Sequence, residues 1–249
     1  MSRLYTDHAA LYDAAFDWDV HGQVHAIGAL SGITHGRVLE PMCGSGRLLR
    51  AFAAEGFDTV GVDNSREMLA LAAARYARDG LTGAWTLADV TNFDLDEACQ
   101  LAVCPINSLA HLPSSAAMEA HLHAVSRNLY AGSSYWIQLD LGRPAGVDIM
   151  QSWDFLYEGR TLRMEWGHLG FQDSFELQRS RCTFPDGRVV EETHRMKFWL
   201  FDDWMTMLSR TRFDLSAAYT GYGEEFAPLT VSESLNGQHL CWHQLVKAG

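Results

Sequence analysis

The sequence has little positive charge. Its 249 residues include 19 lysines and arginines against 31 aspartates and glutamates, which gives a formal net charge of −12. Nonspecific binding to nucleic acids depends on lysine and arginine contacts to phosphates, so an acidic chain is poorly suited to it. We therefore expect no nucleic-acid partner.

Long apolar runs and paired cysteines are also missing. No run approaches the ~18 residues that a membrane-spanning helix needs, and Met1-Ser2-Arg3 leads into mixed polar sequence rather than a signal peptide. The five cysteines contain no C-x-x-C pair, which favours reduced thiols. We expect a cytoplasmic protein with no membrane partner.

Histidines at metal-ligand spacing occur twice, but neither group is complete. His21 and His25 are four residues apart on a helical pattern, and His239, Cys241 and His243 alternate along a strand pattern. Neither group has a further ligand at a supporting spacing. We interpret both as surface or packing residues and predict no metal site.

What the sequence does contain is a small-residue turn between an apolar run and an amphipathic segment. Residues 38–49 are VLEPMCGSGRLL, which is typical of a strand, a tight loop and a helix. Gly44 and Gly46 lack a Cβ, so a ligand can approach the loop backbone, and the following helix presents unpaired N–H groups. This pattern indicates a flat, polar ligand.

Two later apolar runs end in an acidic residue. Asp63 closes the second run, where a Rossmann-type unit places a carboxylate that accepts both hydroxyls of a ribose. A third run ends in Asp89 and Val90, which suit the amine edge and the ring face of an adenine. The dinucleotide fingerprint would require a third glycine where the chain has Leu49, which argues against NAD or FAD. An adenosine without phosphates fits all three loops.

These features together resemble a known family. The E-P-M-C-G-S-G loop, Asp63, the Asp89-Val90 pair and the stretch PINSLAHL at 105–112 resemble the ordered motifs of class I S-adenosylmethionine-dependent methyltransferases. The similarity spans most of the chain. The L-Y-D triplet at 11–13 and the N-S-L-A-H-L stretch more narrowly resemble small-molecule N-methyltransferases of the amino-sugar type. The resemblance implies S-adenosyl-L-methionine as cofactor, S-adenosyl-L-homocysteine as product, and a small-molecule acceptor.

The resemblance also implies a donor site at the carboxyl ends of the strands. Gly44 would lie under the methionine moiety, with Glu40 either near its ammonium group or anchoring the loop, and Met68 against the adenine. The implied donor-binding residues are Glu40, Met42, Gly44, Ser45, Gly46, Asp63, Asn64, Met68, Asp89, Val90, Ile106 and Asn107.

Two residues are candidates for the chemistry itself. His111 follows the fourth strand at the ligand-binding edge, and Tyr12 belongs to the N-terminal segment that the resemblance folds over the same edge. A histidine with an ordinary pKa of about 6.5 can accept a proton at neutral pH or orient an amine. An alternative stays open, in which His111 caps the helix that begins near Ser114 and Tyr12 packs the N-terminal segment.

The downstream pattern predicts further elements. A helix over 114–130 precedes a strand over 135–140. Strands follow over 161–168, 174–184 and 188–200, and a Pro185-Asp186-Gly187 turn joins the last two. A closing strand pair is expected at 213–219 and 239–246. The three middle strands are an insertion that either covers the acceptor pocket or forms a homodimer interface, and the sequence leaves both open.

We predict a single methyltransferase domain over residues 1–249 with an α/β, Rossmann-like class I fold. Its sheet is doubly wound, mostly parallel and seven-stranded, with an antiparallel last strand. Residues 1–33 form a helical lid, 34–140 the donor-binding core, 141–200 the β insertion that covers the acceptor, and 201–249 the closing helix and strands.

The predicted function is methyl transfer from S-adenosylmethionine to a nitrogen or oxygen atom of a small molecule. The protein mainly aligns the acceptor's lone pair with the electrophilic methyl group. A neutral amine needs no base, whereas a hydroxyl usually does. The alternatives are a noncatalytic module that binds S-adenosylmethionine or S-adenosylhomocysteine, and an NAD-dependent oxidoreductase, which Leu49 and the absence of a Tyr-x-x-x-Lys motif disfavour.

Overall fold

The computed structural model describes residues 3–142, 150–221, 225–230 and 240–249 of the chain. In chain order the elements are a 3₁₀ turn (Arg3–Tyr5), α1 (Ala9–Ala15), α2 (His21–Ser31), β1 (Arg37–Pro41), α3 (Arg47–Ala54), β2 (Asp58–Asp63), α4 (Arg66–Arg78), β3 (Ala84–Leu87), β4 (Cys99–Cys104), a second 3₁₀ turn (Ser108–His111), α5 (Ser115–Arg127), β5 (Leu129–Leu139), β6 (Met150–Tyr157), β7 (Arg160–Gln172), β8 (Phe175–Thr183), β9 (Val189–Lys197), α6 (Phe201–Leu208), β10 (Phe213–Thr220), β11 (Ala227–Leu229) and β12 (Cys241–Lys247).

The main sheet has eight strands in the order β11-β10-β12-β5-β4-β1-β2-β3. Strands β1 to β5 run parallel, and β12 is antiparallel to both of its neighbours, β5 and β10. The order reverses between β1 and β4, which opens a crevice at the carboxyl ends of the parallel strands. The predicted fold class is confirmed, and the short β11 adds an edge strand to the predicted seven.

Apolar side chains cover both faces of this sheet. Leu39 and Ala102 belong to one core cluster, which includes Trp204 of α6, whereas Val38 and Leu101 belong to the opposite cluster. Neighbouring residues of a strand point to opposite faces, so strands buried on both sides are apolar at successive positions. The sheet is therefore packed against apolar side chains on both faces.

The helices α4 and α5 begin as the sequence predicts. The Ser65 hydroxyl accepts a hydrogen bond from the Met68 N–H at 3.1 Å, and the Ser114 hydroxyl accepts one from the Ala117 N–H at 3.2 Å. Each serine therefore satisfies one of the unpaired N–H groups of a first helical turn. Both helices start at an edge that carries predicted site residues.

The predicted end of α5 near residue 130 is wrong. The helix ends at Arg127, and β5 already begins at Leu129. The Asn128 side chain causes this early end, because its Nδ2 donates to the Ala124 carbonyl at 2.8 Å and its Oδ1 accepts from the Leu95 N–H at 2.7 Å. The hydrogen bond from Leu95 to Asn128 thus accompanies an end of α5 that the local sequence pattern places about three residues later.

The segment after β5 forms a separate antiparallel sheet in the order β6-β7-β8-β9. Strands β7 to β9 lie at the three predicted stretches, whereas β6 was missing from the prediction. The division into residues 1–33, 34–140, 141–200 and 201–249 stays a prediction. Residues 143–149 and His239, which the prediction assigned to the insertion and to the last strand, lie outside the described residues.

The helix α1 packs against one end of this second sheet. Leu11 and Ala15 of α1 share a small apolar cluster with Leu162, Met164 and other residues of the sheet. The Trp153 indole N–H also donates to the Ala15 carbonyl at 2.7 Å. The N-terminal segment and the insertion therefore approach the carboxyl edge of the main sheet as neighbours.

Gly61 of β2 provides a test of the packing beneath that edge. A Cβ at Gly61 would lie 2.6 Å from the Cys43 sulfur and 2.8 Å from the Trp85 ring. We expect Gly61→Ala to lower the free energy of unfolding in urea by about 1–3 kcal/mol, the usual range for overpacking. The matched control is Gly28→Ala in α2, where the nearest atom would be 3.5 Å away. A Gly61→Ala protein as stable as the wild type would contradict this packing.

Candidate active site

The loop between β1 and α3 turns through left-handed backbone conformations. Met42, Gly44 and Gly46 have φ angles of 60°, 53° and 71°. A Cβ at Gly46 would come within 2.9 Å of the Trp85 ring, whereas no described atom lies within 4 Å of a Cβ placed on Gly44. Gly46 is therefore needed for packing, and the open side of Gly44 leaves room for a ligand against the backbone.

Asp63, at the end of β2, holds this loop in place. Its Oδ2 accepts a hydrogen bond from the Gly44 N–H, and its Oδ1 accepts one from the Ser65 N–H, both at 2.8 Å. Burial raises the pKa of Asp63, while these backbone donors oppose the rise. Each carboxylate oxygen can accept a further bond, so Asp63 can anchor the loop and still accept from ligand hydroxyls.

Glu40, at the start of the same loop, is 3% exposed. Its Oε2 accepts a hydrogen bond from the Leu49 N–H at 3.3 Å, as the loop-anchoring alternative requires. Burial raises the pKa of Glu40 to about 8, so this carboxyl is largely protonated at pH 7. A ligand ammonium group beside it would lower that pKa and favour the carboxylate.

Four further predicted residues follow β2 and β3: Asn64 and Met68 come after β2, and Asp89 and Val90 come after β3. Met68 is buried in the first turn of α4, and Asn64 is exposed. Asp89 is exposed, and its Oδ1 accepts bonds from the N–H and the hydroxyl of Thr91 at 2.8 and 2.7 Å, which lowers the pKa of Asp89. Val90 beside it is buried. The loop thus presents an ionised acceptor next to an apolar residue.

The loop after β4 is strained. Ile106 and Asn107 have φ angles of 49° and 58°. A positive φ is rare for a β-branched residue such as Ile106. Gln138 of β5 imposes this conformation, because its Oε1 accepts from the Ile106 N–H at 2.8 Å and its carbonyl accepts from the Asn107 N–H at 3.1 Å. Backbone strain of this kind concentrates at ligand sites.

His111 and Tyr12, predicted to meet, are joined through a third residue, Tyr5. The Tyr5 hydroxyl and His111 Nε2 are hydrogen-bonded at 3.2 Å, and the Tyr5 ring meets the Tyr12 ring edge-on with centroids 4.8 Å apart. Tyr12 also stacks on Phe16 at 4.3 Å, as the packing alternative expects. The same alternative assigns the cap of α5 to His111, but that cap belongs to Ser114.

This cluster is uncharged at neutral pH. Burial, together with the neighbouring His194, lowers the pKa of His111 to about 4. Burial raises the pKa of Tyr12 to about 12 and that of Tyr5 well above its ordinary value. A neutral imidazole and two neutral phenols therefore face the site.

The family resemblance implies that Tyr5, Tyr12 or Trp18 of the N-terminal segment lies near the ligand, and it does not choose among them. The position of Tyr5 depends on contacts with distant residues. Its carbonyl accepts from the Ser65 hydroxyl at 2.7 Å. The preceding N–H groups of Arg3 and Leu4 donate to the two carboxylate oxygens of Glu192 in β9, at 2.9 and 2.8 Å. The N-terminal turn therefore connects the donor loops to the insertion.

The metal candidates are not gathered into a site. His21 lies 2.7 Å from an oxygen of Asp19, and His25 lies 3.3 Å from one of Glu55. The described ranges contain no group of three or more histidines, cysteines or acids arranged to hold a metal ion. In the same ranges no helix is long and apolar enough to cross a membrane.

Comparison by sequence identifies the domain that carries these loops. Residues 38–132 match a family model described as a methyltransferase domain. This stretch contains all the predicted donor residues and His111, and the match confirms the resemblance found in the sequence. No curated protein sequence matches the chain.

Solved structures match almost the whole chain. An S-adenosylmethionine-dependent methyltransferase from Clostridium acetobutylicum has a TM-score of 0.77 at 18% identity, covering 98% of this chain and 99% of that one. CalS10, an amino pentose methyltransferase from Micromonospora echinaspora, has a TM-score of 0.72 at 18% identity, with coverages of 98% and 97%. KedS8, a sugar N-methyltransferase from a Streptoalloteichus species, has 0.73 at 16%, with 96% and 91%. Identities this low show a shared fold.

The open side of Gly44 gives a direct test of the donor loop. Gly44→Val would place a side chain in that space, so binding of S-adenosylhomocysteine should fall below detection in calorimetry. The matched control is Gly80→Val after α4, because Gly80 has a φ of 70° and equally open surroundings. Both variants should lose similar stability, since left-handed backbone penalises a Cβ by about 1–2 kcal/mol. Normal binding by Gly44→Val would place the donor site elsewhere.

Proposed function

We propose that this chain, a class I S-adenosylmethionine-dependent methyltransferase, transfers the donor's methyl group to an amine nitrogen of a small polar molecule. The observation that carries the choice of nitrogen is the neutral cluster of Tyr5, Tyr12 and His111. An imidazole with a pKa of about 4 is a weak proton acceptor, so it suits an amine, which attacks without a base, better than a hydroxyl.

The transfer itself is a single displacement. The amine lone pair attacks the methyl carbon in line with the C–S bond, a C–N bond forms, and the C–S electrons return to sulfur. The product nitrogen carries the positive charge that the sulfonium loses, and it then releases a proton to solvent. The protein aligns the two reactants and excludes water, and the sulfonium supplies the reactivity.

In this proposal the donor lies across the loops after β1, β2 and β3. Asp63 accepts the ribose hydroxyls, Asp89 accepts from the adenine amine, and Val90 packs against the ring. Gly44 lies under the methionine moiety. Glu40, whose pKa is raised to about 8 by burial, ionises when the methionine ammonium group approaches. Ser45, Gly46, Asn64, Met42, Met68, Ile106 and Asn107 complete the donor site.

Tyr12 and His111 are then proposed to lie beside the transferring methyl group. Tyr5 touches both, and the 3₁₀ turn that carries His111 packs against β9 of the insertion. These contacts support the proposal that the lid, predicted at residues 1–33, and the insertion, predicted at 141–200, close the acceptor side of the site. CalS10 is described as an amino pentose methyltransferase and KedS8 as a sugar N-methyltransferase, and both descriptions support the same choice. A homodimer through the insertion and a cytoplasmic location stay predictions.

Variants of the neutral cluster should lose turnover while keeping their affinity for the donor product. We expect His111→Ala and Tyr12→Phe to reduce turnover about 10–1,000-fold, because a misplaced amine loses alignment with the methyl group. Affinity for S-adenosylhomocysteine should stay within about twofold of wild type. The matched control is His123→Ala on the exposed face of α5. The assay uses a panel of primary amines and amino alcohols, including glucosamine, with products identified by mass spectrometry.

Three outcomes would contradict the proposal. Full turnover in both variants would remove these residues from the mechanism. Methylation of oxygen in an amino alcohol would overturn the choice of nitrogen, whereas donor binding without turnover on any acceptor would favour the noncatalytic alternative.

A further inference from the structure

One face of the insertion sheet changes from apolar to polar side chains along its length. Cross-strand pairing places Trp166 opposite Ser180 and Gln178 opposite His194, so these side chains share one face. Near α1 this face is apolar and packs against the helix. Further along it becomes polar while remaining largely buried. A sheet that served packing alone would carry apolar side chains at both ends, because burying polar groups is costly.

The polar end is an ordered chain of hydrogen bonds. The Trp166 indole N–H donates to Gln178 Oε1 at 2.8 Å, and Gln178 Nε2 donates to Glu176 Oε2 at 2.7 Å. His168 Nδ1 contacts the other oxygen, Oε1, of Glu176 at 2.9 Å. Glu176 itself is only 9% exposed. Its carboxylate is therefore fixed in position with lone pairs remaining for a ligand.

Glu176 and Gln178 line a cleft of about 50 Å³ between the insertion and the main sheet. Asn107, after β4, and Asp140, after β5, form the opposite wall. The volume exceeds that of one water molecule, about 30 Å³ in the liquid, and suits one polar substituent of a ligand. Asn107 is also a predicted donor-site residue, so the cleft adjoins the donor site.

Gln138 supplies an independent observation beside this cleft. The side chain is fully buried, and its Oε1 is already bonded to the Ile106 N–H, which fixes the orientation of the amide. Its Nε2 has no hydrogen-bond partner within the described ranges. Gln138 is linked to the cleft wall through its carbonyl, which accepts from the Asn107 N–H at 3.1 Å. An unpaired buried amide N–H is costly, by about 1–3 kcal/mol, so a ligand or water oxygen is expected there.

We propose that Glu176 determines the acceptor specificity of this enzyme by accepting a hydrogen bond from an acceptor hydroxyl in the cleft against Asn107 and Asp140. The cleft offers the carboxylates of Glu176 and Asp140 as acceptors together with the Lys197 ammonium group as a donor, and a hydroxyl is the group that can bond to both. The inference rests on the proposed function, since it assigns a second contact to the molecule whose amine is methylated. It excludes purely apolar amines as good acceptors.

Three probes separate the hydroxyl contact from the amine contact. Glucosamine carries both groups, D-glucose carries hydroxyls alone, and cyclohexylamine carries an amine alone. Binding of each is measured by calorimetry with saturating S-adenosylhomocysteine, and methylation is measured with the donor. The variant is Glu176→Gln, which keeps the size of the side chain and removes the charge. The matched control is Glu191→Gln, on the exposed opposite face of the same sheet.

We expect Glu176→Gln to weaken glucosamine and glucose binding at least tenfold and to leave cyclohexylamine unchanged. Glu191→Gln should behave as wild type with all three. Thermal unfolding and normal S-adenosylhomocysteine affinity verify the fold of each variant. If Glu176→Gln is unstable, Glu176→Asp replaces it in the test, because the shorter side chain withdraws the carboxylate from the cleft while keeping its charge.

Equal glucosamine binding in wild type and variant overturns the assignment, as does failure of glucosamine and glucose to bind the wild type. Methylation of glucose rather than of the amines overturns the proposed nitrogen transfer and leaves the Glu176 contact supported.

Discussion

The carboxylate of Asp63 connects the parts of the site. It accepts the N–H of Gly44 in the first loop and the N–H of Ser65 at the start of α4. The Ser65 hydroxyl in turn donates to the Tyr5 carbonyl, and the Tyr5 side chain reaches His111. The donor loop, the N-terminal segment and the histidine are thus linked through one carboxylate at the end of β2. Losing it would release the loop as well as remove the proposed contact with the ribose hydroxyls.

Burial gives this site its electrostatic character. Glu40 has a pKa raised to about 8 and His111 has one lowered to about 4, so both are largely neutral at pH 7. Asp63 and Asp89 face the same edge, and Asp89 keeps a lowered pKa because Thr91 donates to it. A donor that brings an ammonium and a sulfonium group into such a site introduces the positive charge that the acids can balance. In the proposed transfer, the weakly basic His111 beside the methyl group suits an amine acceptor better than an alcohol.

Local sequence predicted the donor side better than the acceptor side. The strand, glycine turn and helix around Gly44, and the serine cap of α4, follow from periodicity and turn chemistry within a few residues. The place of Tyr5 depends on a contact with His111, 106 residues away. The early end of α5 depends on Asn128 reaching the loop at Leu95. The polar chain around Glu176 follows from strand pairing, and strand β6 of that sheet was not predicted.

The central claim is that Asp63 organises a binding site for the methyl donor. Calorimetry with S-adenosylhomocysteine tests it on wild type, Asp63→Ala and a control, Asp58→Ala, at the exposed start of the same strand. Losing a hydrogen bond to a charged group costs about 1.5–3 kcal/mol of binding free energy, which corresponds to a dissociation constant roughly 10- to 100-fold higher. We expect that loss in Asp63→Ala and wild-type affinity in Asp58→Ala. An unchanged dissociation constant in Asp63→Ala would contradict the account.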